Sequence, residues 1–162
     1  MTSARGFTLI EVLVTVIILA IGLLGIAGLQ AIGLRYNQSA LLRTQATQLA
    51  YDMADRMRTN NLGFSAGNYD QPTSTAVANC STTTGCTPAE MATNDMFVWS
   101  DTLSNTLPGG VGVVCLDSTS GDGTSNTAPA CDGSGTVYAI KIWWLDDRDD
   151  PSALQRFTVS YQ

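Results

Sequence analysis

Gly6-Phe7-Thr8-Leu9-Ile10-Glu11 opens the most informative stretch of the chain, and Val12 to Leu34 follows it with 23 uncharged residues. Only Thr15 and Gln30 in that run are clearly polar. A helix needs about 20 apolar residues to cross a hydrocarbon core roughly 30 Å thick. Glu11 therefore stands alone at the head of a segment long enough to span a membrane. A charge in such a segment costs roughly 2.5–3.5 kcal/mol near the bilayer centre and less near an end. A secretory signal fits less well: its apolar core is about 7–15 residues long and ends at a small-residue cleavage site. Arg5 flanks the run on one side and Arg35 and Arg43 on the other, so flanking charge leaves the orientation ambiguous.

The Gly6-Phe7-Thr8-Leu9-Ile10-Glu11 segment resembles the prepilin processing site of type IV pilins and type II secretion pseudopilins. Leader length, glycine, phenylalanine, the glutamate spacing and the apolar run all agree with that family. The resemblance implies a leader at residues 1–6, cleavage between Gly6 and Phe7 by a prepilin peptidase, and N-methylation of Phe7. Glu11 would then be the fifth mature residue, paired with the Phe7 amine of a neighbouring subunit. Such pairing is weak in water and much stronger at low dielectric. The freed amine, with an ordinary pKa near 8, is cationic. Without the glycine-phenylalanine context, the dipole of a membrane helix would suffice to explain Glu11.

The resemblance covers the first 35 residues strongly and the rest loosely, where the chain most resembles minor pilins of the PilV type. It implies residues 7–34 as the membrane or filament-core half of a long helix, and residues 35–162 as a periplasmic, later extracellular, pilin-like domain. Partners would be the membrane, other minor and major pilins, the peptidase and an inner-membrane assembly machine of a Gram-negative bacterium. The implied function is assembly or priming of a type IV pilus that serves adhesion or motility. A secretion pseudopilin and a membrane-tethered binding module are the alternatives.

Gly22, Gly25, Gly28 and Gly33 punctuate the apolar run. They permit close packing between membrane helices or local melting, since each costs about 1 kcal/mol against alanine in a helix. From Gln30 to Arg58 there is no proline. Leu42, Ala46, Leu49, Met53 and Met57 recur at helical spacing, with Gln45, Gln48, Asp52, Asp55 and Arg56 between them, so this half is amphipathic and needs a partner. Asp52 and Arg56 suit an i,i+4 ion pair. Asn60, Asn61 and Gly63 supply the stop. A helix from Phe7 to about Asn60 would be roughly 80 Å long.

Beyond it, residues 63–87 read as a polar loop, and Pro88–Leu107 as a helix with Met91, Met96, Trp99, Leu103 and Leu107 on its apolar side. Val111–Leu116, Val137–Leu145 and Leu154–Tyr161 read as strands, the last two as a hairpin. The fold expected is α+β: the long N-terminal helix packed on a small antiparallel sheet, a pilin-like roll. The sheet face toward the helix is either Ile140, Ile142, Trp144, Phe157 and Val159, or Val137, Ala139, Trp143 and Leu145.

Residues 63–162 hold three basic side chains against eleven acidic ones, a balance of −8, which repels nucleic acid. There is no histidine, which removes the commonest general base and metal-binding ring. No GxSxG or SxxK motif is present. The chain reads as a non-enzyme, without cofactor or metal, and as the substrate of a processing enzyme. Cys80, Cys86, Cys115 and Cys131 show no CxxC spacing and argue for disulfides outside the cytoplasm. Three pairings exist; Cys80–Cys86 with Cys115–Cys131 is favoured because each closes a local loop. Asp117 and Asp122 in a Gly-rich loop, and Asp146, Asp147, Asp149 and Asp150 before Pro151, lack EF-hand spacing and read as solvated turns.

Overall fold

The computed structural model describes residues 6–146, 150 and 154–162. Of the leader, only Gly6 is among them. Asp147, Arg148, Asp149 and Pro151 of the charged turn lie outside the described residues. The chain divides into two compact units, with the boundary between Ala40 and Leu41. Helix α1, Leu9–Thr59, contributes to both.

The first unit is the apolar part of α1. Residues 6–38 are exposed throughout. The helix runs unbroken through its four glycines, and a Cβ at any of them would meet nothing within 4 Å. This is the one helix among the described residues long and apolar enough to cross a membrane.

The second unit holds the rest of α1, then α2 (Asn61–Ser65), a short 3-10 turn at Ala78–Ser81, α3 (Pro88–Thr106) and strands β1 (Val111–Leu116), β2 (Tyr138–Leu145) and β3 (Leu154–Tyr161). The strands form one antiparallel sheet in the order β1-β2-β3. α1 ends at the expected stop, at Thr59, and Asn60 then joins it to α2. The Asn60 side chain caps α2 by accepting from the Gly63 amide at 3.2 Å, and it donates to the Pro88 carbonyl at 2.8 Å. Gly63 is required there, because a Cβ would lie 2.4 Å from the Asn60 side chain. Thr87 and Glu90 form a reciprocal capping box, with Pro88 in the first turn, and this starts α3.

Leu42, Ala46, Ala50, Met53, Ala54 and Met57 of α1 are buried in one core with Ala92, Met96, Trp99 and Leu103 of α3. Leu49 is only half-buried against it, because alanines at 46, 50 and 54 carry the centre of the stripe. On α3 the buried face passes through Ala92 and Asp95, and Met91 lies at its border. The sheet meets the helices with Ile140, Ile142 and Trp144, supported by Phe157 and Val159. The indole of Trp99 donates to the Leu49 carbonyl at 2.8 Å, joining α3 to α1.

That packing needs a gap in β1. At Gly112 a Cβ would sit 2.3 Å from the Trp99 ring and 2.7 Å from a Leu103 methyl. Gly112→Ala is therefore an overpacking change, expected to cost about 1–3 kcal/mol. Thermal unfolding of the full chain in detergent should show the midpoint several degrees lower, since each lost kcal/mol moves it by that order. An unchanged midpoint would mean that Trp99 has room to move.

The edge of β1 is covered. Gln71 donates its amide to the Val114 carbonyl at 2.9 Å, and Asp70 accepts the Leu116 amide at 2.9 Å. A sheet edge so occupied is closed to further strand pairing.

Candidate functional site

The N-terminal end of the described chain is Gly6-Phe7-Thr8, outside the helix and exposed. Phe7 is 82% exposed. Helix α1 starts because Thr8 caps it: its carbonyl accepts the Glu11 amide at 3.1 Å and its hydroxyl lies 3.3 Å from the same nitrogen. Glu11 thus stands in the first turn of α1, where a carboxylate is favoured by the helix dipole. It is exposed, as is the apolar surface beyond it. Cleavage after Gly6 would leave an amine four residues before this carboxylate.

The second unit carries the covalent frame. Disulfides join Cys80 to Cys86 and Cys115 to Cys131. The first closes a turn beside the start of α3. The second ties β1 to the long loop between β1 and β2. The Cys115 and Cys131 sulfurs and an Asp117 carboxylate oxygen lie within 4.8 Å of one another, but both sulfurs belong to the disulfide, so no thiolate remains there to bind a metal.

That loop is the main departure from expectation. Asp117 and Asp122 read as solvated residues, yet Asp117 is buried and both meet Lys141. The Lys141 Nζ lies 2.5 Å from Asp117 Oδ2 and 2.8 Å from Asp122 Oδ1. It also donates to the Pro129 carbonyl at 2.7 Å and the Asp122 carbonyl at 3.2 Å. The Lys141 and Asp117 side chains are 0% exposed. The cause is topological: the disulfide folds the loop back across the outer face of the sheet. Each strand supplies a hook for it. β1 gives Cys115, β2 gives Lys141, and β3 gives Arg156, which donates to the Gly121 and Gly123 carbonyls, and Ser160, 2.8 Å from the Ser120 hydroxyl. At Gly123, φ is +89° and a Cβ would lie 2.3 Å from the Pro129 carbonyl, so only glycine fits. The hydrogen bond to Lys141 leads the forces that hold the Asp122 carboxyl below its ordinary range. Hydrogen bonds from Ser118 and Ser134 do the same for Asp132.

One signal in the sequence pointed to this covered face. β2 reads Tyr-Ala-Ile-Lys-Ile-Trp-Trp-Leu, with seven consecutive residues buried. A strand apolar on both faces is covered on both, and a lone lysine inside it needs a carboxylate nearby.

A second polar knot pins α1 to α3. Tyr69 donates to Asp95 at 2.5 Å and receives Asn60 Nδ2 at 3.1 Å, while Arg56 reaches Asp95 at 3.5 Å and Asp52 at 2.8 Å. Burial first, then the bond to Asp95, pushes the Tyr69 phenol up, so it stays protonated as a donor.

Residues 1–27 match the prokaryotic N-terminal methylation motif, and residues 28–97 match the family described as Type IV pilin Tt1218. Over residues 1–97 the chain is similar to type IV pilins. The two matched segments adjoin, so the pilin signature runs from the processing motif through α1 and into α3. No curated protein and no solved structure matches this chain. The type IV pilin family is structural, and the fold here is a long helix packed on a three-stranded antiparallel sheet.

Proposed function

We propose that this chain is a minor pilin, cut by a prepilin peptidase between Gly6 and Phe7 and N-methylated at Phe7. In this reading residues 7–34 lie first in the inner membrane of a Gram-negative cell and then in the filament core. Residues 35–162 are exported, and the two disulfides support an oxidising compartment for them. The division between Ala40 and Leu41 is one of packing; the proposed division at residue 34 is one of environment. The subunit joins other minor and major pilins to prime or modify a type IV pilus used in adhesion or motility.

The observation that carries this reading is the placement of Gly6-Phe7 ahead of Glu11, at the head of an apolar helix whose residues are exposed through position 38. The match of residues 28–97 to a type IV pilin favours the pilus over a secretion pseudopilus. Intact mass tests it. The native protein should begin at methylated Phe7, and Gly6→Val should retain the leader and be absent from sheared filaments. A mature native protein that still carries residues 1–6, in a cell with active peptidase, would overturn the reading.

A further inference from the structure

Lys141 and Asp117 are placed for more than an ion pair. Their side chains are 0% exposed and in contact, Nζ to Oδ2 2.5 Å. The other oxygens around the lysine nitrogen are in ordinary hydrogen-bond geometry: Asp122 Oδ1, the Pro129 carbonyl and the Asp122 carbonyl. Asp117 Oδ2 is not; it is a buried oxygen with no hydrogen bond directed at it. The nitrogen therefore lies against the carboxyl group while its hydrogens serve other acceptors. The second oxygen, Asp117 Oδ1, is held by the Thr119 amide at 3.0 Å and faces the Thr119 hydroxyl at 3.4 Å. A backbone N–H on that oxygen would stabilise an oxyanion there.

We propose that Lys141 and Asp117 are joined by a side-chain amide formed within the folded chain. Asp122 carries the protons. Its Oδ1 takes a proton from the lysine ammonium, and the freed amine attacks Asp117 Cγ. Negative charge gathers on Oδ1 under the Thr119 amide. The proton on Asp122 and a second proton from the lysine nitrogen then go to Oδ2, which leaves as water. The N–Cγ bond forms and the Cγ–Oδ2 bond breaks. Ammonium plus carboxylate become amide plus water, Asp122 is regenerated, and no oxidant, metal or other reactant is consumed.

Three physical features favour the step. Reacting groups held in contact by a fold act at effective concentrations of about 10⁵–10⁸ M. The site is dry at the reacting atoms, while the Asp122 side chain is 47% exposed and opens an exit for water. Two buried charges, each costly to desolvate, are replaced by a neutral amide. The product would close a covalent ring through the loop of residues 117–141. Disulfide reduction alone would then leave the loop fastened to β2.

Mass spectrometry of the full chain, purified in detergent and then reduced and unfolded, tests this. The expected mass is lower than that of the processed sequence by one water. Trypsin should fail to cut after Lys141, and fragmentation should place the link on Asp117. Lys141→Arg keeps a cation but offers no nucleophilic amine, and it should have its full mass. Asp122→Ala should also run at full mass while retaining the folded sheet by circular dichroism. A native protein at full mass that trypsin cuts after Lys141 overturns the proposal. So does a lost water with Lys141 still cleavable, which would mark a succinimide at Asp122-Gly123 or Asp132-Gly133 instead.

Discussion

Lys141→Met should destabilise the second unit more than any single truncation on the outer face of its sheet. Methionine keeps the stem of the side chain and its packing. It removes the ammonium that four oxygens surround, two of them carboxylate oxygens. Asp117 would remain, with a side chain that is 0% exposed and no cation to face. Breaking a buried pair by deleting one partner costs about 3–5 kcal/mol, because the charge left behind is uncompensated. The melting midpoint should fall by several degrees for each of those. The loop should also open to protease, since one of its hooks is gone. Lys141→Met combined with Asp117→Leu discriminates the cause. Replacing both partners of a buried pair with apolar residues is often neutral. A double variant that recovers most of the loss assigns it to the unpaired carboxylate. A double variant as unstable as the single one assigns it to the lost connection itself, as an amide between the two residues requires. A single variant as stable as the native chain would show that the loop does not depend on Lys141.

Much of the frame was legible because it rests on local chemistry. Absence of proline from Gln30 to Arg58 and the spacing of Leu42, Ala46, Met53 and Met57 gave α1, which ends at Thr59. Pro88 and the apolar spacing of Met96, Trp99 and Leu103 gave α3. Turn residues bounded the three strands to within a residue or so. The sheet face stayed open between two alternatives, and the one through Ile140, Ile142, Trp144, Phe157 and Val159 is the one that meets the helices. Alternation decides that choice only when one face is wet, and β2 is buried on both.

The covering loop was illegible for a related reason. Asp117 and Lys141 are 24 positions apart, and the glycines, serines and threonines between them carry every mark of a solvated segment. Composition reports how little apolar area a loop can bury. It does not report that the loop is fastened by a disulfide at one point and by charge and carbonyl groups at others. The Glu11 end is the opposite case. Its chemistry is written in six consecutive residues, but the partner proposed for it is the amine of another subunit, so a single chain shows only its exposure and its place in the first turn of α1.

Glu11→Leu should abolish entry into filaments while sparing synthesis, cleavage and membrane retention. The substitution removes a charge from the head of a run long and apolar enough to cross a membrane, so insertion should be as good or better. Folding of the second unit should not change, since Glu11 lies outside it. In an assembled stack, the Phe7 amine of a neighbour would lose its carboxylate. At a dry site that leaves a buried cation unpaired, at a cost of several kcal/mol. About 1.4 kcal/mol is already a tenfold loss of occupancy, so the variant should be nearly absent from sheared pili. Glu11 has a second role to separate, because it also occupies the first turn of α1, where the helix dipole favours it. Glu11→Gln keeps the polar side chain at that turn and loses only the charge. If charge pairing drives recruitment, the glutamine variant should fail like the leucine one. If helix initiation is what matters, glutamine should assemble nearly normally. Quantitative detection in sheared filaments, with membrane fractions as the control, decides between them. Leucine-variant pili at native abundance, with motility intact, would overturn the pairing mechanism.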